Sequence, residues 1–404
     1  MSSPSTANLG EIARLFLKLG VIGFGGPAAH IAMFETETVS RRGWLTSEHF
    51  LDLLGATNLI PGPNSTEMAM HVGYDRGGWP GLVVAGSCFI LPAVALTGLL
   101  AWVYVEFSTL PAIAPLFYGI KPAVLAIIAG ALWRLGQKAV KNRQLLLIAL
   151  GVVPLLLWGL NEVLAILIGG LVGALWLRWR RGQASDRPAQ LVVTGLNLSA
   201  ATQGGSTVAA LAQAAATTAA TVTPPLWQLG LVFLKIGAVL FGSGYVLIAF
   251  LEGEVIARNW LTQQQLLDAI AMGQFTPGPV LSTATFIGYL VAGWPGAVVA
   301  TVGIFLPSFG FVAALNPLIP RLRRSAWAAA FLDAVNVSAV ALMAVVTVQL
   351  ALVTLLRPLD GLAIAITLLA AIALFRFRLS AIWLVVGGAV LGWLAVVVLG
   401  WNPT

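Results

Sequence analysis

The chain has 404 residues, of which 59% are hydrophobic and only 9% charged, and its mean hydropathy is +0.92. That balance excludes a water-soluble globule and makes a lipid bilayer the expected solvent and partner. A net charge of +7 is compatible with nucleic acid, but in a membrane chain surplus Lys and Arg mark cytoplasmic loops, so no nucleic-acid partner is expected.

The apolar runs are continuous and not alternating, which excludes a barrel and leaves room for roughly ten to twelve helical crossings. The lone cysteine, Cys88, permits no disulfide, and His30, His49 and His71 are too scattered for a zinc motif, so neither cofactor nor metal is expected. The opening residues MSSPSTANLGEIARLF show no basic leader followed by a cleavable apolar core, so no signal peptide is expected. The expected location is the bacterial inner (plasma) membrane, crossed many times.

In chain order, residues 15–33 are apolar but carry Lys18 in the first turn and the run Gly23-Phe24-Gly25-Gly26-Pro27 in the middle. Glycine weakens a helix and lets backbones approach, so the pattern predicts a broken or re-entrant helical hairpin, with a plain span as the alternative. Helices are expected near 50–74, 79–105, 115–133, 144–160 and 163–177, the first of them interrupted at Pro61-Gly62-Pro63. Residues 188–226 carry no charge and are rich in Ala, Thr, Gly and Ser; they read as a linker, or as one extra weak crossing around Thr207–Val222.

The sequence then repeats. Lys18 matches Lys235, Phe24 matches Phe241, Glu35 and Glu37 match Glu252 and Glu254, and Trp44-Leu45-Thr46 match Trp260-Leu261-Thr262. Asp52 matches Asp268, Pro61-Gly62-Pro63 match Pro277-Gly278-Pro279, Trp79-Pro80-Gly81 match Trp294-Pro295-Gly296, and Pro92 matches Pro307. A second hairpin is expected at 232–250, followed by helices near 266–290, 294–316, 326–350, 359–375 and 380–400. The organisation is therefore an N-terminal repeat over 1–187, a linker over 188–226 and a C-terminal repeat over 227–404.

Charge sets the orientation. With five crossings per half and the N-terminus outside, fifteen basic residues fall in cytoplasmic loops and only Arg14, Arg41, Arg42 and Arg357 fall outside; parallel halves would give ten against nine. The expected fold is an all-α polytopic membrane protein of two inverted repeats, each about five transmembrane helices plus a broken or re-entrant helical hairpin. Inverted repeats with interrupted helices are the architecture of alternating-access transporters, whose sites lie near the bilayer midplane.

An interrupted helix leaves backbone donors to be satisfied, and donors at a half-helix start attract anions. Candidate substrate-binding residues are thus Gly25 and Gly26 with Gly242, Ser243 and Gly244, and Asn64, Ser65 and Thr66 with Thr276, Ser282 and Thr283. Pro61, Gly62, Pro63, Pro277, Gly278 and Pro279 are hinge candidates. For each motif the plain alternative is a kink that only lets helices pack. Lys18 and Lys235, cations in apolar segments, are candidates for substrate attraction, against snorkelling to headgroups. Glu67 and His71 share a helix face and, with Lys121, whose match is Asn336, are coupling candidates; a structural ion pair or a water-facing cavity edge is the alternative for Glu67 and His71. The recurring Glu35/Glu37 and Glu252/Glu254 read as a solvated loop face or a gate against Arg41, Arg42 and Arg258.

FLKLGVIGFGGP, RRGWLT and PGPNSTEMAMHVGY, with FGSGY, NWLT and QFTPGP in the second copy, resemble the chromate ion transporter family in its long, two-halved form. The resemblance covers about 16–175 and 228–400. It implies export of chromate from the bacterial cytoplasm, conferring resistance, with sulfate as the chemically similar competitor and second candidate substrate. An intramembrane enzyme lacks its nucleophile and base, because FGSG stands in the half without histidine. A sulfate importer or exchanger and a passive oxyanion channel are the remaining alternatives, and a homodimer stays open as an assembly.

Overall fold

The computed structural model describes residues 9–24, 26–57, 60–107, 114–182, 223–241, 244–315, 325–356 and 360–398. Among these residues every regular element is helical, and six helices are long and apolar enough to cross a membrane. Most of the linker, with the crossing considered at Thr207–Val222, lies outside the described residues.

Helix α1 (Leu9–Ile22) buries Ile12, Leu15, Phe16 and Leu19, one stripe at helical spacing, and turns Leu17 and Val21 outward. It stops at Gly23. The chain restarts as α2 (Pro27–Glu35), with proline at the first helical position after Gly26, whose φ is 78°. Phe16 meets Phe34 edge-on at 5.6 Å, Lys18 Nζ donates to Glu37 Oε1 at 2.9 Å, and Arg42 Nη1 donates to Glu11 Oε1 at 2.9 Å. Contacts that spread outward from the break in both directions define an antiparallel hairpin, longer than the expected 15–33.

A second hairpin follows. Helix α3 (Ser47–Thr57) and the first arm of α4 (Asn64–Phe107) flank the Pro61-Gly62-Pro63 turn, and Gly77 and Gly78, both non-helical, fold the second arm of α4 back on the first. At the open end of this hairpin His49 pairs with Asp75 and Arg76 lies over the Trp44 ring at 5.3 Å. The single helix expected over 50–74 is therefore two antiparallel segments, because the prolines withhold N–H groups and Gly62 turns with φ 138°. Arg42 also lies over the Trp44 ring, at 5.4 Å, which brings the open ends of the two hairpins together. The later helices, α5 (Ala114–Ala139), α6 (Arg143–Leu157) and α7 (Glu162–Gly182), occur near the expected positions.

The second half repeats the series as α8 (Leu226–Val239), α9 (Leu247–Leu251), α10 (Gln263–Phe275), α11 (Thr283–Leu315), α12 (Ala326–Leu356), α13 (Gly361–Phe377) and α14 (Ala381–Trp393). The copy extends to detail. Gly77 and Gly78 have φ/ψ of −137°/16° and 61°/−149°, and Ala292 and Gly293 have −146°/29° and 60°/−153°. Each short helix after the first break ends in a π-helical turn, Thr36–Arg41 or Glu252–Ile256.

The halves interlock. Helix α5 packs against α13 and α14, and α12 packs against α6 and α7. Between α4 and α11, Gly86 faces Phe309 while Gly98 faces Trp294, so these equivalent helices run antiparallel. Lys141, just beyond α5, donates to Asp333 near the start of α12 at 2.6 Å, so this equivalent pair is antiparallel as well. Small residues allow the close approach: Gly388 and Gly392 of α14 pack against Gly119 of α5, and Gly173 of α7 against Ala334 of α12. Outward, Val298, Val302 and Leu306 form an exposed stripe along α11, the face an apolar solvent tolerates.

Candidate functional site

Helix breaks of one half are bonded to helix ends of the other. Gly278 N–H, in the second Pro-Gly-Pro turn, donates to the Gly23 carbonyl that ends α1, at 2.7 Å. Reciprocally, Gly62 N–H, in the first such turn, donates to the Leu240 carbonyl just beyond α8, at 2.7 Å. Each half thus satisfies an orphan carbonyl at the other's helix end, a demand that low-dielectric surroundings make obligatory.

Around this crossing the side chains are buried and polar, and they differ between the halves. Thr97 Oγ1, on the second arm of α4, lies 3.2 Å from Thr276 Oγ1 and 3.2 Å from Ser282 Oγ. Thr276 in turn donates to the Met272 carbonyl at 2.9 Å, and Thr283 to the Val280 carbonyl at 2.8 Å. On the other side Glu67 is fully buried with its carboxylate against the Ser308 hydroxyl and close over Gly62. Ser65 and Thr66 are buried beside it, and His71 is buried one turn along the same arm.

A cavity of about 990 Å³ leads to the crossing, and Gly26, Asn64, Thr276 and Gly278 are part of its wall. Residues expected from the two halves therefore share one space. Gly244 is buried against Val280 and Leu281. Gly25, Gly242 and Ser243 lie outside the described residues.

The three lysines are placed elsewhere. Lys18 pairs with Glu37, which also accepts from Arg41 Nη1 at 3.0 Å, while Arg42 Nε lies 3.5 Å from its other oxygen. Lys235 pairs with Glu254, which also accepts from Arg258 Nη2 at 2.9 Å. The bond from Lys18, opposed by burial, holds Glu37 below the usual carboxylate range. For Glu254 burial pulls upward, yet the bonds from Lys235 and Arg258 prevail and its pKa is also lowered. Depressed carboxylates stabilise the fold above their unfolded pKa of about 4.3 and lose that stabilisation as pH falls through the lowered folded value. Both clamps therefore hold at neutral pH. Lys121 lies in the field of Asp268, a fully buried carboxylate that accepts from Tyr104 Oη at 2.8 Å.

Sequence reasoning missed Thr97 and Ser308. Both follow the matched prolines Pro92 and Pro307 on the long helices, and Ser308 stands where the first half has Ala93, so comparing the halves position by position was the available signal. Cross-half proximity was not.

Broken helices whose ends are satisfied across a duplicated unit, within a polytopic apolar bundle, define a membrane transporter. The sequence model of the chromate transporter family matches residues 10–174 and 227–393, and the chain belongs to that family. It is 33% identical over 394 residues to a chromate transport protein of Cupriavidus metallidurans, covering 96% of this chain and 94% of that one. It is 31% identical over 399 residues to a chromate transport protein of Pseudomonas aeruginosa, covering 97% and 93%. A probable chromate transport protein of Synechococcus elongatus is 31% identical over 342 residues, covering 82% of each. No solved structure matches the chain. The family makes it a multi-pass bacterial membrane protein and a transporter rather than an enzyme.

Proposed function

We propose that this chain exports chromate from the bacterial cytoplasm by alternating access, with sulfate or protons as the exchange partner, and that the crossing of the helix breaks holds the anion. The observation that carries the reading is the reciprocal pair of backbone bonds, Gly278 to Gly23 and Gly62 to Leu240, at the end of a cavity lined from both halves. Chromate is a tetrahedral dianion that needs donors; the Ser282 and Thr97 hydroxyls can turn toward it directly, whereas Thr276, now donating to the Met272 carbonyl, would have to release that bond first. Glu67 is the proton-coupling candidate, since a buried carboxylate in a transport path is a functional group by default. The membrane potential assists exit of an anion by about 2.3 kcal/mol per charge per 100 mV.

Inversion of the halves across the membrane is part of the proposal. It is supported by the antiparallel course of α4 against α11 and of α5 against α12, and by the basic residues gathered with Arg76, Arg134, Lys141 and Arg178 on one face. Glu48 and Gln264 occupy equivalent exposed positions at the starts of α3 and α10. In a Cys88→Ser background, Glu48→Cys is expected to react with an impermeant maleimide only from the cytoplasmic side and Gln264→Cys only from outside. Labelling of both from one side would end the inverted arrangement.

Flux in sealed vesicles tests the site. Thr97→Val removes the hydroxyl that faces both Thr276 and Ser282 and is expected to raise the half-saturating chromate concentration about tenfold, the equivalent of about 1.4 kcal/mol. Imposed pH and sulfate gradients identify the exchange partner. Uphill sulfate uptake would favour an importer, and flux indifferent to any counter-gradient would favour a passive channel.

A further inference from the structure

The charges on the basic face are unevenly compensated. Most acidic side chains there are already engaged: Glu11 by Arg42, Glu37 by Lys18, Arg41 and Arg42, Asp75 by His49, and Asp333 by Lys141. The wall of the cavity that leads to the crossing includes the exposed Arg134 and Lys138 of α5 and Arg378, and no carboxylate among the described residues. Arg134 and Lys138 stand one helical turn apart and are exposed on a shared face. Arg378 follows the end of α13 in the left-handed region, φ 54°, a conformation that costs an arginine stability and that persists where surroundings impose it.

We propose that Arg134, Lys138 and Arg378 form an outer capture site for divalent tetrahedral oxyanions, which concentrates chromate or sulfate at the cytoplasmic mouth before it reaches the helix breaks. The inference rests on the reading of the crossing as the anion site and adds the place where the anion is first held. Three cations around a cleft with low-dielectric walls focus their field along the cavity, which raises local anion concentration and association rate and is weakened by salt. The opposite face offers no comparable cluster among the described residues, since Lys235 and Arg258 are both bound to Glu254. The asymmetry makes capture directional, from the cytoplasm outward. Anionic lipid headgroups carry the same phosphate-like chemistry, so the test must separate them from the solute.

The experiment measures initial chromate flux against chromate concentration and ionic strength in vesicles of neutral phosphatidylcholine and in vesicles containing phosphatidylglycerol. It uses the full chain, the double variant Arg134→Gln/Lys138→Gln, Arg378→Gln, and the charge-preserving pair Arg134→Lys/Lys138→Arg. All three positions are exposed, so elution as a single folded species is expected for each variant. In both lipids the double neutralisation is expected to raise the half-saturating concentration about tenfold and flatten the salt dependence, with the maximal rate falling less than twofold. Arg378→Gln should shift it about threefold, and the charge-preserving pair should behave as the parent. If the parent moves chromate and the neutralised variants keep its concentration and salt dependence, capture is overturned while the central site stands. An effect seen only with phosphatidylglycerol would make the cluster a lipid contact and also overturn it. A parent that neither binds nor moves chromate or sulfate would remove the central site and this inference together.

Discussion

Gly62→Ala is expected to reduce chromate flux at least a hundredfold while the protein still reaches the membrane. Gly62 has φ 138°, and an added Cβ would stand 2.0 Å from Glu67 Oε1 and 2.4 Å from Ser308 Oγ. Strain in that backbone region is about 1–2 kcal/mol and overpacking adds about 1–3 kcal/mol. Relief requires either moving the buried Glu67 carboxylate or breaking the Gly62 bond to Leu240, and both belong to the proposed site. Gly278→Ala is a graded comparison. Its Cβ would meet Ala93 at 3.1 Å and the Gly20 carbonyl at 3.4 Å, with φ 90°, so it carries the backbone strain without the polar collision. Its flux is expected to fall about tenfold. Equal losses in the two variants would mean that the crossing tolerates no asymmetry and that Glu67 plays no separate part.

Asp268→Ala is expected to be the most destabilising single change on the face opposite the basic one. The Tyr104 bond to Asp268 joins the second arm of α4 to α10, and the charge of Lys121 on α5 faces the same carboxylate. Removing the carboxylate leaves a buried hydroxyl and an ammonium uncompensated in apolar surroundings, a loss of about 3–5 kcal/mol. Tyr104→Phe keeps the charge pair and should lose only about 1–2 kcal/mol. Thermal unfolding in detergent ranks the two. An Asp268→Ala protein that melts with the parent would show that this contact does not hold the halves together.

Much of the architecture was legible because duplication writes each feature twice. The matched Pro-Gly-Pro turns and glycine clusters pointed to the breaks, and the alignment matched Lys18 with Lys235 and Glu37 with Glu254 without showing that each lysine would pair with its glutamate. What the residues could not convey was where a break sends the chain. Hydropathy over 50–74 is the same whether the segment crosses or turns back at Pro61-Gly62-Pro63, and any count of crossings inherits that ambiguity. The lysines illustrate a second limit. A cation in an apolar stretch advertises a partner, but only the fold reveals that for Lys18 the partner is Glu37, nineteen positions on. Contacts such as Thr97 with Ser282, 185 positions apart, leave no local trace at all.

The cavity of about 990 Å³ includes Thr276 and Gly278 in its wall, so on the proposed orientation it would carry the cytoplasmic solution to the crossing of the helix breaks. The resting voltage would then drop mainly across the protein on the far side of that crossing instead of across the whole bilayer. A dianion stepping through it would sample most of about 4.6 kcal/mol per 100 mV, twice the single-charge value. Turnover in this protein should accordingly respond steeply to polarisation even though the ion's own displacement is short.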